Sequence, residues 1–206
     1  RSNGDPTNSS QEPGMVTGNP KVTIGDVSTE HGSYRAAISG NVYGGGNAAK
    51  VDGTTTVLMQ KANSVVSHDI YGGGNQADVL GSVVVDITNG TVSQDVYGGG
   101  ALADVNGHNG AATSGATTTV TLTNGTVRNI YGGGLGSREE ENEVAAKVYG
   151  DVQVTVDGGT VTDVYGCNNL NGAPQSNVQV DINNNVGGNV YGGGNLALSE
   201  VTPIVN

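Results

Sequence analysis

One pentapeptide, Val or Ile and Tyr followed by three small residues, returns six times in this chain. It stands at 42–46, 70–74, 96–100, 130–134, 164–168 (there VYGCN) and 190–194. Its tyrosines, Tyr43, Tyr71, Tyr97, Tyr131, Tyr165 and Tyr191, are separated by 28, 26, 34, 34 and 26 residues. A repeat of that length is one supersecondary unit that cannot bury its apolar face alone, so neighbouring copies must stack on it. The chain is thereby confined to a solenoid.

The stretches between pentapeptides say which solenoid. Each repeat has an alternating segment: TTVLM at 55–59, VVVDI at 83–87, TVTL at 119–122, VQVTV at 152–156 and VQVDI at 178–182. Apolar residues alternating with Thr, Asp or Gln mark a strand buried on one face. TNGT at 88–91 and 123–126 and DGGT at 157–160 then supply the positive φ of a tight corner. A second strand runs from Val92, Val127 or Val161 into Val/Ile-Tyr. After the glycines comes Ala-x-Val-x-Gly at 49–53, 77–81, 103–107 and 146–150. Three strands in a repeat of this length exceed the roughly 18 residues per coil of left-handed hexapeptide helices. The expected fold is all-β: a single right-handed parallel β-helix of about six coils, three short strands per coil, over residues 21–206. At a strand spacing of about 4.8 Å the rod is about 29 Å long. With no Phe or Trp among 206 residues, its core must be narrow and filled by Val, Ile, Leu and Ala.

Residues 1–20 are polar, hold three of the five prolines and read as a flexible leader. The two longer steps come from insertions, at 108–115 and 136–145, which should loop outward from one region and are where a solenoid can carry specificity. The net charge of −11 repels phosphate backbones, which excludes nucleic acid as a partner. No run of about 18 apolar residues occurs, so no membrane-spanning segment is expected. The chain opens at Arg1 without a signal peptide, and is read as the mature or trimmed form of an exported protein, extracellular or at the cell surface. Cys167 stands alone, which excludes an intrachain disulfide, and reads as a small buried residue.

Stacking turns each repeat position into a column. The six tyrosines should project outward or sit at the corner. They form either an aromatic strip that binds sugar rings or a ladder covering the glycines, and their presence in every coil favours the ladder. The triple glycine is expected to serve positive φ and close backbone approach. Cys167 and Asn168 at its second and third positions suggest that the third needs left-handed backbone. Neither a phosphate loop nor a GGxGxD calcium repeat is present. Two residues before each Tyr lies an Asx column (Asn41, Asp69, Asp95, Asn129, Asp163, Asn189), and after the glycines another (Asn47, Asn75, Asn169, Asn195). Asx side chains cap turn amides without any ligand. Asp69 and Asp95 on adjacent rungs are, however, candidates for a calcium site. With His68 and Arg128 they are also the candidate catalytic cluster for polysaccharide lyase or hydrolase chemistry. A further row, Lys50, Asp78, Asp104 and Lys147, reads as self-neutralising surface.

The recurrent TNGTV, Asx-Val/Ile-YGGGN and Ala-x-Val-x-Gly segments resemble repeats of secreted or surface-anchored parallel β-helix proteins of gut Bacteroidetes, described as adhesin-like. The match spans residues 21–198 and is more broadly similar to pectin-lyase-like β-helices, whose catalytic motifs are not found here. The resemblance implies export to the cell surface as a lipoprotein, and a non-enzymatic adhesive, structural or carbohydrate-binding role. Partners would be a surface glycan or protein, or a second copy stacked end to end; the alternative is a polysaccharide lyase or glycoside hydrolase.

Overall fold

The computed structural model describes residues 14–25 and 34–206. Among these residues there is no helix, and the long sheets are parallel throughout. One stacks seven strands in sequence order: Lys21–Ile24, Thr55–Met59, Val83–Ile87, Thr117–Leu122, Asp151–Val156, Val178–Ile182 and Ile204–Val205. These contain the alternating segments, because alternation is the only pattern that buries one face of a strand and wets the other. Val57, Val85, Val120, Val154 and Val180 form one inward column, each fully buried. At about 1.5–3 kcal/mol per buried aliphatic side chain, such columns are what hold successive coils together.

The second sheet carries the Val/Ile-Tyr pairs, from Val42–Tyr43 through Ile70–Tyr71, Thr91–Tyr97, Thr126–Tyr131 and Thr160–Tyr165 to Val190–Tyr191. The third face is a column rather than a sheet. Val16–Thr17 pairs with Val51–Asp52, and single bridges then link Val51, Val79, Val105, Val148 and Pro174. The expected third strand is thus reduced to one paired residue in most coils. The glycine after it turns at once toward the long sheet: a Cβ at Gly81 would lie 2.4 Å from the Gly53 oxygen. Three faces visited in fixed order, each paired in parallel with the coil before, make a parallel β-helix.

Three expectations change. Residues 1–13 of the expected leader lie outside the described residues, but Val16 and Thr17 already occupy the third face, so the solenoid starts before residue 21. The triple glycines do not adopt positive φ, and neither does Asn168; the left-handed glycines include instead those of the Asn-Gly and Gly-Gly corners, Gly90, Gly125 and Gly159. In the inner coils the triple glycines serve closeness alone. A Cβ on Gly98 would sit 2.3 Å from the Gly132 oxygen, and one on Gly132 equally close to the Gly166 oxygen. Cys167 occupies a second position with its side chain fully buried: its Sγ lies 3.5 Å from the Gly192 oxygen and 3.6 Å from Ser199 Oγ. Burial pushes that thiol up, so it is an inert core residue.

Both insertions fold back on the body. Gly107–His108 and Ala111–Ala112 pair as a hairpin, turned by Asn109 and Gly110, both at positive φ. Residues 136–145 close on themselves through an antiparallel bridge between Ser137 and Val144. Among the described residues the large exposed apolar side chains belong to the two ends: Val16 and Tyr34 at one, Tyr191, Leu196, Leu198, Ile204 and Val205 at the other. No helix among them is long and apolar enough to cross a membrane.

Candidate functional site

The six tyrosines stack in one ladder, with centroids between 4.6 and 5.1 Å apart and near-parallel rings. Their parity does point them away from the Val/Ile core. The chain that leaves the glycines then covers them, so that Tyr71, Tyr97 and Tyr131 are only 2–3% exposed and pack with Ala101, Leu102 and Leu135. The faces of the inner rings are taken by one another, which leaves them no face for a sugar.

The Asx column explains itself through the backbone. The step from the apolar residue that opens the second strand to the one before Tyr varies between coils. It is four residues in some (Val66 to Ile70, Val92 to Val96) and three in others (Val127 to Ile130), and the register shifts where the two kinds meet. The extra residue throws an amide out of the ladder, and the Asx of the preceding coil accepts it. Asp69 N donates to Asn41 Oδ1 at 3.0 Å, Asp95 N to Asp69 Oδ1 at 2.9 Å and Asn189 N to Asp163 Oδ1 at 2.7 Å. Tyr71 donates its hydroxyl to Asp69 Oδ2 at 3.1 Å.

Asp95 faces a coil without the extra residue, so no amide is offered to it. Arg128 takes the place: Nε donates to Oδ1 at 2.8 Å and Nη2 to Oδ2 at 2.7 Å, a two-pronged pair on a carboxylate 3% exposed. The Arg128 guanidinium is itself about half-exposed. Asp69, Asp95 and Arg128 are therefore brought together as the sequence suggested. His68 lies exposed nearby in the chain with no hydrogen bond to any of the three. The oxygens of both carboxylates are engaged by an amide, a phenol or the guanidinium. That donor set does not fit a calcium ion, which needs six to eight oxygens free to converge. Among the described residues no group of three His, Cys, Asp or Glu converges on a metal position. Nor does Asp95, charge-paired on both oxygens, resemble a carboxyl poised to donate or accept a proton. Replacing Arg128 by Ala should lower stability by about 2–3 kcal/mol, discounted for the exposed guanidinium from the cost of breaking a buried pair. Urea unfolding should show the loss in 1 M NaCl as in dilute buffer, and a change below about 0.5 kcal/mol would mean that the pair is a surface contact.

The Lys50, Asp78, Asp104, Lys147 row is more than alternating charge. Asp78 Oδ1 accepts from Asp104 N at 3.0 Å and Asp104 Oδ1 from Lys147 N at 2.8 Å, the same amide-capping device. Two residues join that the column alignment left out. His108, at the start of the hairpin, sets Nδ1 against Asp78 Oδ2 and Nε2 at 2.8 Å from Lys50 Nζ. Tyr149 donates to Asp104 Oδ2 at 3.0 Å and accepts from Gly110 N at 3.0 Å, which fastens the hairpin tip. Burial pushes the Asp104 carboxyl above its ordinary value, against the pull of those hydrogen bonds. The signal for His108 was there in the Asn-Gly pair that follows it, which folds a short hairpin back over the third face.

The second insertion builds the larger concavity. It overhangs the corner after the glycines, where Leu102, Leu135 and Leu170 floor a groove of about 900 Å³ that Val144 and Arg138 wall on the insertion side. Asn171 Nδ2 donates to the Ser137 oxygen at 2.9 Å and to Glu143 Oε1 at 3.2 Å, which anchors the overhang. No protein-family model, curated protein or solved structure matches the chain.

Proposed function

We propose that this β-helix is a non-enzymatic binding module of the adhesin-like kind, displayed outside the cell. Its ligand lies in the groove beneath residues 136–145 and is an extended segment of another surface protein bearing apolar and basic side chains. The groove carries this reading: its volume is that of a ligand cleft, its floor is leucine, and its overhang holds Glu139, Glu140, Glu141 and Glu143. A leucine floor without an aromatic ring suits an aliphatic side chain better than a sugar face, and an acidic rim in a chain of net charge −11 steers basic ligands. The non-enzymatic part rests on the engaged oxygens of Asp69 and Asp95.

Peptide and glycan arrays on the whole chain test it. Peptides combining Leu or Ile with Lys or Arg should be retained, and Leu102→Asp or Leu170→Asp should weaken them by roughly 30-fold, as for a central interface residue. Both leucines are half-buried, so the fold should survive the change. Binding to glycans alone, or peptide binding indifferent to both substitutions, would overturn the reading.

A further inference from the structure

The groove does not use the group that the first insertion assembles. His108 stands between a carboxylate and an amine: Nδ1 faces Asp78 Oδ2, and Nε2 faces Lys50 Nζ at 2.8 Å. A carboxylate can only accept, so Nδ1 carries the hydrogen. That leaves the Nε2 lone pair to receive a proton from the Lys50 ammonium. Asp78 is itself held, since its other oxygen accepts from Asp104 N. The order is nucleophile, base and orienting carboxylate, each within hydrogen-bond reach of the next. A cavity of about 170 Å³ opens at Lys50 and Asp78, lined by Met15, Ala48, Ala49, Gln76 and Ala77. At the roughly 30 Å³ that a water occupies in the liquid, it has room for a molecule of a few heavy atoms.

We propose that Lys50 is an amine nucleophile, with His108 placed as its base, that condenses with small aldehydes entering this cavity. The ammonium gives one proton to His108 Nε2, and the amine attacks the carbonyl carbon. As the C–N bond forms and the C–O π bond breaks, a second proton passes from nitrogen to oxygen. His108 then returns the first proton to that hydroxyl, which leaves as water with two of the three original ammonium protons. The third stays on an iminium nitrogen. No oxidant or reductant is consumed. Asp78 acts by holding the His108 tautomer and stabilising the imidazolium while it exists. The alanines leave the approach uncrowded, and the Gln76 amide on the wall offers a donor for the carbonyl oxygen. Of the hairpin residues only His108 takes part; Gly110 and Tyr149 keep the hairpin seated.

The chain supplies its own controls, since Lys21, Lys61 and Lys147 are its other lysines. The whole protein is incubated with glycolaldehyde near pH 7 and trapped with cyanoborohydride, and peptide mapping follows the mass gain at each lysine. Lys50 should gain label at least about tenfold faster than the other three, less than the roughly 10²–10⁴-fold that a positioned general base can supply. In His108→Gln the side-chain amide can still bridge Asp78 and Lys50 but cannot carry a proton away. The melting temperature should then stay close to the parent's while the Lys50 rate falls to that of the other lysines. His108→Ala should slow it equally. Should that variant unfold, the glutamine variant decides alone, and should both unfold, the lead of Lys50 over the other three lysines in the parent decides. Labelling of Lys50 no faster than its neighbours, or unchanged in His108→Gln, would overturn it.

Discussion

Gly98→Ala should cost about 3–5 kcal/mol, one of the largest effects of any single methyl in this chain. The added Cβ would lie 2.3 Å from the Gly132 oxygen and 2.6 Å from Thr118 Cγ2. Overpacking a flexible side chain costs about 1–3 kcal/mol because the neighbour can turn aside. Here the obstacle is the backbone of the next coil, and moving it would break the parallel register on which the next coil depends. Gly193→Ala is the matched control. Its Cβ would meet only Ser199 Cβ, at 3.8 Å, an ordinary contact, so its effect should stay within about 1 kcal/mol. Urea unfolding of the two variants beside the parent reads the contrast directly. Equal losses would mean that the glycines are required for backbone freedom and not for closeness.

Alkali should unfold the protein cooperatively between about pH 11 and 12. Burial, aided by the nearby carboxylates Asp69 and Asp95, holds the Tyr71, Tyr97 and Tyr131 phenols well above their ordinary value. The folded state therefore keeps protons that the unfolded chain sheds near pH 10. Stability is intact below that point and declines as pH rises through it. At pH 12 each phenol held neutral costs about 2.7 kcal/mol and the three together about 8, which rivals the whole stability of an ordinary domain. Phenolate absorbance should consequently rise in a sharp step that coincides with loss of strand circular dichroism. A gradual titration of all the tyrosines with the strands intact at pH 12 would show that the ladder admits water.

Five of the seven strands of the long sheet could be read from the sequence almost to the residue; the two at its ends, Lys21–Ile24 and Ile204–Val205, could not. Alternation over 55–59, 83–87 and 178–182 matches the strands Thr55–Met59, Val83–Ile87 and Val178–Ile182, because a half-buried strand leaves that pattern directly in the chain. The third face was legible only as a motif. Whether Val79 or Val105 is flanked by paired neighbours depends on how soon the next glycine turns the backbone, which periodicity does not encode. The candidate cluster of Asp69, Asp95 and Arg128 was correctly placed by column arithmetic. Its meaning was not, since that turned on one extra residue, present in some coils and absent from others, deciding which carboxylate is offered an amide and which a guanidinium. His108 escaped the columns because an insertion has no counterpart in the other coils.

What the sequence determined by itself is therefore the coil: its period, its inward columns, the rungs that stack and the tyrosines that must meet. A repeated pattern constrains every copy at once, and local alternation is sufficient to say which face is buried. What only the tertiary structure decided is how the unrepeated parts land. It folded the hairpin so that His108 bridges Asp78 and Lys50, and it laid residues 136–145 over Leu102 and Leu170. It also showed that the triple glycine is small because another backbone passes beside it. Contacts between coils depend on distance in space, and a residue's neighbour one coil away is not written next to it in the chain.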